Sequence, residues 1–187
     1  MAMSALDARF GTTRGLARLL LSHMQYAGGL AWIRAPETAA VHRLVFVCQG
    51  NICRSAFADV LTRRMGANAA SFGLSTSSGG VAHPPAAAAA AKLGVDLADH
   101  RTTRAEDYIP RPGDLLLAME VRQLARIAAD PRLAHLPRSL LGLWARPRRP
   151  HLHDPYKLDD RYMLTCLRVI ESAVSRLVED FPGVRSS

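Results

Sequence analysis

One short segment of the chain combines a cysteine, a glycine and an arginine in a spacing that suits phosphate chemistry. Cys48 directly follows a short apolar run, and Arg54 stands six positions later, where a helical pattern begins. The backbone N–H groups of a loop between a strand and a helix can converge on an anion, and the helix N-terminus adds its positive end. The segment therefore predicts a phosphate-binding loop, with Cys48 as the nucleophile and Arg54 as the clamp on the phosphate.

The residue types within this loop fit that chemistry. A cysteine beside a helix N-terminus and an arginine is favoured as the thiolate, which is the nucleophilic form. The planar guanidinium of Arg54 can hold two phosphate oxygens, while Gly50 and Asn51 tolerate the unusual backbone angles of a tight cradle. Ser55 could donate a hydrogen bond to the sulfur when it leaves. The alternative, a buried structural cysteine beside a surface arginine, is disfavoured by the strand and helix patterns on either side.

Strand and helix patterns alternate around the loop. Apolar runs typical of buried strands lie at 44–47 and 114–119, a weaker strand is predicted at 71–76, and 139–143 is a fourth strand candidate. Helical patterns cover 55–65, 84–94, a segment that ends near 129, and 159–181. Such alternation indicates a parallel sheet with helical crossovers, whose ligands bind beyond the carboxyl ends of the strands. We expect an α/β fold, a single three-layer domain with a central parallel sheet of about four strands and flanking helices.

The first 42 residues differ from the rest of the chain. Apolar side chains recur at roughly helical spacing from Leu16 to Leu30, with arginines and a histidine between them. We predict an N-terminal helical extension over 1–42 that packs on the domain, and a membrane-surface or partner-binding helix is the alternative. The domain itself is then expected to cover 43–182, with a tail at 183–187.

The composition restricts the class of protein. A chain of 187 residues that is 49% hydrophobic suits one compact domain rather than a disordered chain. Lys and Arg exceed Asp and Glu by 24 to 16, and the net charge of +8 attracts phosphoesters, nucleic acid and acidic lipid alike. Three cysteines do not make a disulfide framework and suit a reducing compartment. No run is long enough to cross a bilayer, so we expect a cytoplasmic protein without a membrane span.

Two motifs of the chain resemble those of one protein family. Val-Cys-Gln-Gly-Asn-Ile-Cys-Arg-Ser at 47–55 is similar to the signature of the low-molecular-weight protein tyrosine phosphatases. Asp-Pro-Tyr at 154–156 is similar to the motif that carries their general acid. The motifs occur in the family's order, and the resemblance covers about residues 43–182. The stretch Leu-Leu-Gly-Leu-Trp at 140–144 resembles bacterial members more than animal ones.

The resemblance implies a role for each residue of these motifs. Cys48 is the expected nucleophile, Arg54 the clamp, and Asp154 the general acid and then the base. The rest of the phosphate-binding loop is formed by Gln49, Gly50, Asn51, Ile52, Cys53 and Ser55. The chemistry agrees with the role of Asp154, because the leaving oxygen needs a proton and the water of the second step must lose one. No metal or other cofactor is expected, since the loop and Arg54 supply the positive charge.

Three further positions bear on oxidation and on the substrate pocket. By resemblance, Cys53 can trap an oxidised Cys48 as a reversible disulfide, and the alternative is a small apolar residue under the loop. Tyr156 is the expected aromatic wall of the pocket. Residues 79–80, both glycine, fall where animal members place a bulky wall, and Lys157 stands where a second tyrosine is common. We therefore expect one side of the pocket to be open.

Two histidines and a third cysteine allow other interpretations. His151 and His153 precede Asp154, and imidazoles with a carboxylate are good zinc ligands. Histidines spaced by one residue lie on opposite sides of an extended chain, however, so we expect a loop that flanks the acid. Cys166 falls on the apolar face of the last helix and is expected to be a packing residue.

The sequence favours an enzyme, with alternatives in other classes. The expected activity is hydrolysis of protein phosphotyrosine through a phosphocysteine on Cys48, and the expected partner is a tyrosine-phosphorylated protein, with a bacterial tyrosine kinase of polysaccharide export as one candidate. A phosphoprotein-binding module with little turnover would need neither Cys48 nor Asp154, and nucleic acid is not an expected partner. Arsenate reduction needs relay cysteines, and residues 76–100 contain none. The family's arginine-phosphate phosphatases carry threonine where Ile52 stands.

Overall fold

A parallel sheet of four strands forms the centre of the molecule. The computed structural model describes residues 5–185, and its strands are β1 (Arg43–Cys48), β2 (Ala69–Gly73), β3 (Asp114–Ala118) and β4 (Arg138–Leu140). Their order in the sheet is β2-β1-β3-β4. Cys48 is in register with Gly73, and Val47 with Ala118, so the carboxyl ends of three strands meet at one edge. The predicted parallel α/β architecture is confirmed.

Helices connect these strands and cover both faces of the sheet. They are α1 (Ala5–Phe10), α2 (Thr13–Ala27), α3 (Arg54–Arg64), α4 (Pro84–Ala91), α5 (Val121–Ala129) and α6 (Asp160–Asp180). Short 3-10 turns occupy Thr38–Ala40, Leu141–Leu143 and Pro182–Val184. Asp159 caps α6 by accepting the backbone N–H of Arg161 at 2.6 Å, which satisfies a donor that the helix itself leaves unpaired.

Alternate residues of the buried strands face two separate cores. Phe46 of β1 packs in the core that α3, α4 and α6 cover, and all of its side chain is buried. Val45 and Val47 point the other way, into the core that α5 covers. Successive side chains of a strand point to opposite faces, so a strand apolar at every position is buried on both sides. The two cores explain why the β1 sequence is continuously apolar.

Three predicted element boundaries differ from the structure. The strand predicted at 71–76 spans Ala69–Gly73, because Leu74 and Ser75 leave the sheet and donate their N–H groups to Cys48 and Gln49 carbonyls. The strand predicted at 139–143 ends at Leu140 and continues as a 3-10 turn. The alanine-rich helix ends at Ala91 rather than at 94. Gly94 has a φ of +70°, which is incompatible with a right-handed helix.

Segments near both ends of the described range, residues 5–185, pack on the central domain, and residues 186–187 of the predicted tail lie outside that range. Arg34 forms an isolated antiparallel bridge with Arg138 of β4. At the other end, Val184 is fully buried and Arg185 bridges to Ala67, so the residues up to 185 that we predicted as a tail instead contact the domain. Within residues 5–185, no helix is both long and apolar enough to pass through a bilayer.

Candidate active site

The loop that follows β1 turns its backbone around the sulfur of Cys48. Cys48 ends β1, and Ser55 lies in the first turn of α3. The Ser55 Oγ lies 3.0 Å from the Cys48 Sγ, and the N–H of Asn51 donates to the same sulfur at 3.2 Å. Polar hydrogens directed at a sulfur stabilise its negative charge. The loop therefore surrounds Cys48 with donors, as a nucleophilic thiolate requires.

Asn51 fixes the shape of the loop through hydrogen bonds on every side. Its φ of 54° is left-handed, a conformation that asparagine tolerates better than most residues. Its Nδ2 donates to Ser55 and Ser71 hydroxyls at 2.9 Å each, and its Oδ1 accepts the N–H of Thr103 at 2.8 Å. The His100 Nε2 lies 2.8 Å from the Asn51 carbonyl oxygen. These bonds reach three separate segments and hold the cradle rigidly.

Arg54 is a fully buried cation paired with a buried carboxylate that sequence reasoning missed. The Nη1 of Arg54 donates to Glu120 Oε1 at 2.9 Å and to the Leu152 carbonyl at 2.7 Å. Both side chains are only 1% exposed. β3 ends at Ala118, and Glu120 follows two residues later, at the sheet edge where Cys48 also lies. A polar residue at this edge is the sequence signal that could have pointed to Glu120.

The opposite charges of Glu120 and Arg54 keep both groups ionised in spite of their burial. Burial alone would raise the pKa of Glu120, but the guanidinium of Arg54 and a hydrogen bond from Arg122 lower it to about 2. Burial alone would lower the pKa of Arg54, but the negative charges of Asp154, Cys48 and Glu120 raise it above the ordinary arginine value. Both groups are therefore ionised at neutral pH, and Arg54 has a fixed orientation.

Asp154 lies on the opposite side of the same guanidinium. Its Oδ2 is 2.8 Å from the Arg54 Nη2, and its side chain is 33% exposed. The segment before it is anchored on the sheet, because the N–H of Leu152 donates to the Met119 carbonyl at 2.9 Å. The N–H of Tyr156 donates to the Asp154 Oδ1 at 3.3 Å. The structure thus brings Asp154, far along the chain, to the mouth of the loop that contains Cys48.

A pocket of about 270 Å³ opens above the loop. Loop residues 48–50 and 52–54 form its floor, Asp154 and Tyr156 form one wall, and Ser75 and Thr76 form the other. The Tyr156 ring is 43% exposed and meets His83 edge-on, with ring centroids 5.0 Å apart. A pocket with an anion-binding floor and an aromatic wall suits a flat phosphorylated ring.

The pocket lining includes Ser75 and Thr76 and not the two glycines at 79–80, on which the prediction of an open side rested. Gly79 and Gly80 lie outside the pocket lining and bond to Thr102, whose Oγ1 accepts the Gly80 N–H at 2.8 Å. The small wall comes from Ser75 and Thr76, which lie closer to the end of β2. Lys157 places its Nζ 5.4 Å from the centre of the Tyr156 ring.

The comparisons with known proteins agree with this geometry. A family model for the low molecular weight phosphotyrosine protein phosphatases matches residues 43–183. The chain belongs to this family. A protein-tyrosine-phosphatase of Salmonella typhi, Wzb, is 31% identical over 118 residues, which cover 62% of this chain and 78% of the relative. The probable phosphatase EpsP of Ralstonia solanacearum is 34% identical over 91 residues, covering 48% of this chain and only 63% of EpsP, less than two thirds of its length.

Solved structures of the low molecular weight phosphatases have the same fold. The crystal structure of the Erwinia amylovora tyrosine phosphatase AmsI is 28% identical, with a TM-score of 0.65, and the match covers 75% of this chain and 93% of AmsI. Wzb of Escherichia coli K30, solved in complex with sulphate, is 29% identical with a TM-score of 0.64, covering 74% of this chain and 97% of Wzb. The family match begins at Arg43, so the extension over 1–42 lies outside it.

The two remaining cysteines of this phosphatase domain are buried thiols. Burial, and then the nearby charge of Cys48, raise the pKa of Cys53 well above its ordinary value. Burial likewise raises the pKa of Cys166 to about 12, and Cys166 packs in the core under α6, as predicted. All three cysteines are free. The redox role of Cys53 stays a prediction.

The histidines that precede Asp154 lie on the inner side of its loop. The Nε2 of His151 is 3.5 Å from the Nδ1 of His153, and the His151 Nδ1 is 3.9 Å from Glu120 Oε2. Burial lowers the pKa of His151 to about 4 and also lowers that of His153. Both imidazoles are therefore neutral at pH 7. Among residues 5–185, no three His, Cys, Asp or Glu side chains converge on one point where a metal ion could bind.

Proposed function

We propose that this protein hydrolyses protein phosphotyrosine through a phosphocysteine intermediate on Cys48. The observation that carries the proposal is the convergence of three groups on one pocket: the sulfur of Cys48, the guanidinium of Arg54 and the carboxyl of Asp154. Family membership supports the same reaction class. A rigid cradle with one nucleophile and one acid provides what the two-step transfer of a phosphoryl group needs.

In the first step, the Cys48 thiolate attacks phosphorus. The P–S bond forms while the P–O bond to the tyrosine oxygen breaks. Asp154 takes up a proton when the bound phosphate displaces it from Arg54, and it gives that proton to the leaving oxygen. The phosphate dianion replaces Asp154 as the partner of the Arg54 Nη2, which leaves the carboxyl facing the leaving oxygen. Glu120 and the Leu152 carbonyl hold the other side of the guanidinium, so the clamp stays in place as charge moves to the equatorial oxygens.

In the second step, water attacks the phosphocysteine. The P–O bond to water forms, the P–S bond breaks, and Asp154 takes the proton that the water loses. The Ser55 hydroxyl and the Asn51 N–H, at 3.0 and 3.2 Å from the sulfur, stabilise the departing thiolate. Inorganic phosphate then leaves and the resting thiolate is restored.

The pocket supports a proposal about the substrate as well. A tyrosine-phosphorylated protein fits the aromatic wall at Tyr156, and the small wall at Ser75 and Thr76 leaves room for the protein chain around the phosphotyrosine. A bacterial tyrosine kinase of polysaccharide export remains our candidate partner. We also propose a cytoplasmic location, since a free reactive thiol is kept reduced there.

Turnover of para-nitrophenyl phosphate, compared between two serine variants, tests the reaction. Cys48→Ser removes the thiolate and should lower kcat by more than about 10³-fold, while orthovanadate still binds in the cradle. Cys166→Ser, a matched change at a buried cysteine outside the pocket, should keep kcat within about threefold. A Cys48→Ser variant with normal turnover would remove Cys48 as the nucleophile. A wild-type protein that binds vanadate and phosphopeptide without turnover would establish a binding module instead.

A further inference from the structure

The helix α2 of the extension carries its large apolar side chains on the solvent side. The buried residues of this helix are Gly15 and Ser22, which are small. The exposed ones include Leu20 at 60%, Leu21 at 53% and Met24 at 71%. A surface helix ordinarily buries its apolar stripe against the domain and turns its polar face to water. The reversed arrangement of α2 indicates that its outer face contacts something other than water.

The chain beyond α2 extends the same exposed surface. Leu30 is 68% exposed and Trp32 is 59% exposed, and together with Leu20, Leu21 and Met24 they form what we term the apolar face. Trp32 has a φ of 56°, which is unfavourable for a bulky residue. The domain holds this conformation, because Ala31 is buried and Arg138 donates to the Trp32 carbonyl at 2.9 Å. The backbone is thus anchored while the indole stays outside.

The charged side chains of the segment that carries the apolar face have one sign. Residues 8–36 contain four arginines and neither Asp nor Glu. Arg14 is exposed and stands seven residues before Leu21, so it lies on the same side of the helix two turns away. Exposed leucine, methionine and tryptophan side chains with arginines beside them, of which Arg18 lies 3.9 Å from the buried Glu120, are the pattern of a binding surface for an apolar partner with negative charge at its boundary.

We infer that the apolar face binds an anionic lipid surface. A helix with leucine and methionine on one side and arginines beside them, followed by an exposed tryptophan, suits the boundary between acyl chains and headgroups. The arginines would contact anionic headgroups, and each contact would strengthen binding to the surface. A second copy of this chain fits less well, because a two-fold interface would bring the same arginines together without any carboxylate of this segment between them. The inference does not depend on the proposed reaction.

Sedimentation of the full chain with vesicles tests the inference. Vesicles of phosphatidylglycerol and phosphatidylcholine should carry the protein down, vesicles of phosphatidylcholine alone should carry much less, and high salt should release it. Leu20→Glu and Met24→Glu should each lower the partition coefficient at least about tenfold, since each removes an inserted apolar side chain and adds a negative charge. Ile109→Glu is the matched control, because Ile109 is 74% exposed but lies outside the apolar face.

Turnover of para-nitrophenyl phosphate by the same variants shows that they remain folded, since none of these residues lines the pocket. Equal sedimentation with neutral and anionic vesicles, or an equal loss in Ile109→Glu, would overturn the inference. The inference would also be overturned if the protein does not bind vesicles but forms a dimer at rising concentration, and if Leu20→Glu abolishes that dimer. That outcome would assign the apolar face to a second copy.

Discussion

Thr12 places its Oγ1 3.3 Å from the Nε2 of His153, the residue immediately before Asp154. The same hydroxyl caps α2 by accepting the N–H of Gly15 at 3.0 Å. The turn between α1 and α2 therefore packs directly on the loop that presents the predicted general acid. The catalytic domain that the family shares obtains this support from an extension outside the family match.

Gly11→Ala should disturb the acid loop in a way that Gly29→Ala does not. A Cβ at Gly11 would lie 2.7 Å from the Tyr162 ring and 2.9 Å from the His153 ring, whereas a Cβ at Gly29 meets no atom within 4 Å. Both glycines have a positive φ, so both variants share the backbone cost of about 1–2 kcal/mol in the free energy of unfolding. Only Gly11→Ala should also slow phosphotyrosine hydrolysis, by roughly tenfold, because small misplacements of catalytic groups are costly.

Steady-state kinetics and thermal denaturation of the two variants separate these effects. If Gly29→Ala loses as much kcat as Gly11→Ala, the kinetic effect follows stability alone and the turn does not position Asp154.

Glu120→Gln should destabilise the protein and weaken the clamp. The change removes the more deeply buried of the two carboxylates that pair with the Arg54 guanidinium, the other being Asp154, and this costs about 3 kcal/mol in the free energy of unfolding at neutral pH. Because the folded-state pKa of Glu120 is about 2, below its ordinary value of 4.5, this stabilisation is fully present above pH 4.5 and is lost as the pH falls towards 2. The difference between wild type and variant should therefore shrink across that window.

Denaturant unfolding at several pH values measures this difference. Glu106→Gln is the control, since Glu106 is 67% exposed and 3.6 Å from Arg104, and it should change the free energy of unfolding by less than about 1 kcal/mol. A difference for Glu120→Gln that is independent of pH between 4.5 and 2 would contradict the ion pair as its source.

Asp154→Ala should harm substrates in proportion to how poorly their leaving groups depart. Tyrosine has a pKa of about 10 and leaves badly as a bare anion, whereas para-nitrophenolate is stable. General acid assistance is worth roughly 10²–10⁴-fold, so the first turnover of phosphotyrosine should slow by about that factor and that of para-nitrophenyl phosphate by less. Asp160→Ala, in the first turn of α6, is the control. Equal first-turnover losses for both substrates would mean that Asp154 is not the acid.

Disulfide formation between Cys53 and oxidised Cys48 should accelerate as the pH rises. Peroxide converts the Cys48 thiolate to a sulfenic acid, and the thiolate of Cys53 then attacks that sulfur and releases hydroxide. Burial raises the pKa of Cys53 above the accessible range, so the rate of closure should rise roughly tenfold per pH unit between 6 and 9. Mass spectrometry can follow the disulfide against sulfenic acid trapped by dimedone. Closure at a rate independent of pH, or equally fast trapping in Cys53→Ala, would argue against this role.

The local parts of the site could be predicted from the residue pattern alone. A strand, a seven-residue turn and a helix start are encoded in one continuous segment around Cys48 and Arg54, because apolar runs and helical periodicity are local properties. The resemblance of the Asp-Pro-Tyr motif to that of the family predicted Asp154 as the acid. The parallel sheet followed from the alternation of patterns, and it explains why these residues meet at one edge.

The residues that support the site could not be predicted in this way, because they are brought together by the folding of distant segments. Ser71 lies within β2 and Glu120 follows β3, and their bonds to Asn51 and Arg54 leave no periodicity in the sequence. The orientation of α2 relative to the domain could not be predicted from the sequence either. Its apolar spacing predicts a helix with one apolar face, but which face meets the domain depends on the close approach of Gly15 to His153, and that contact is a property of the folded chain alone.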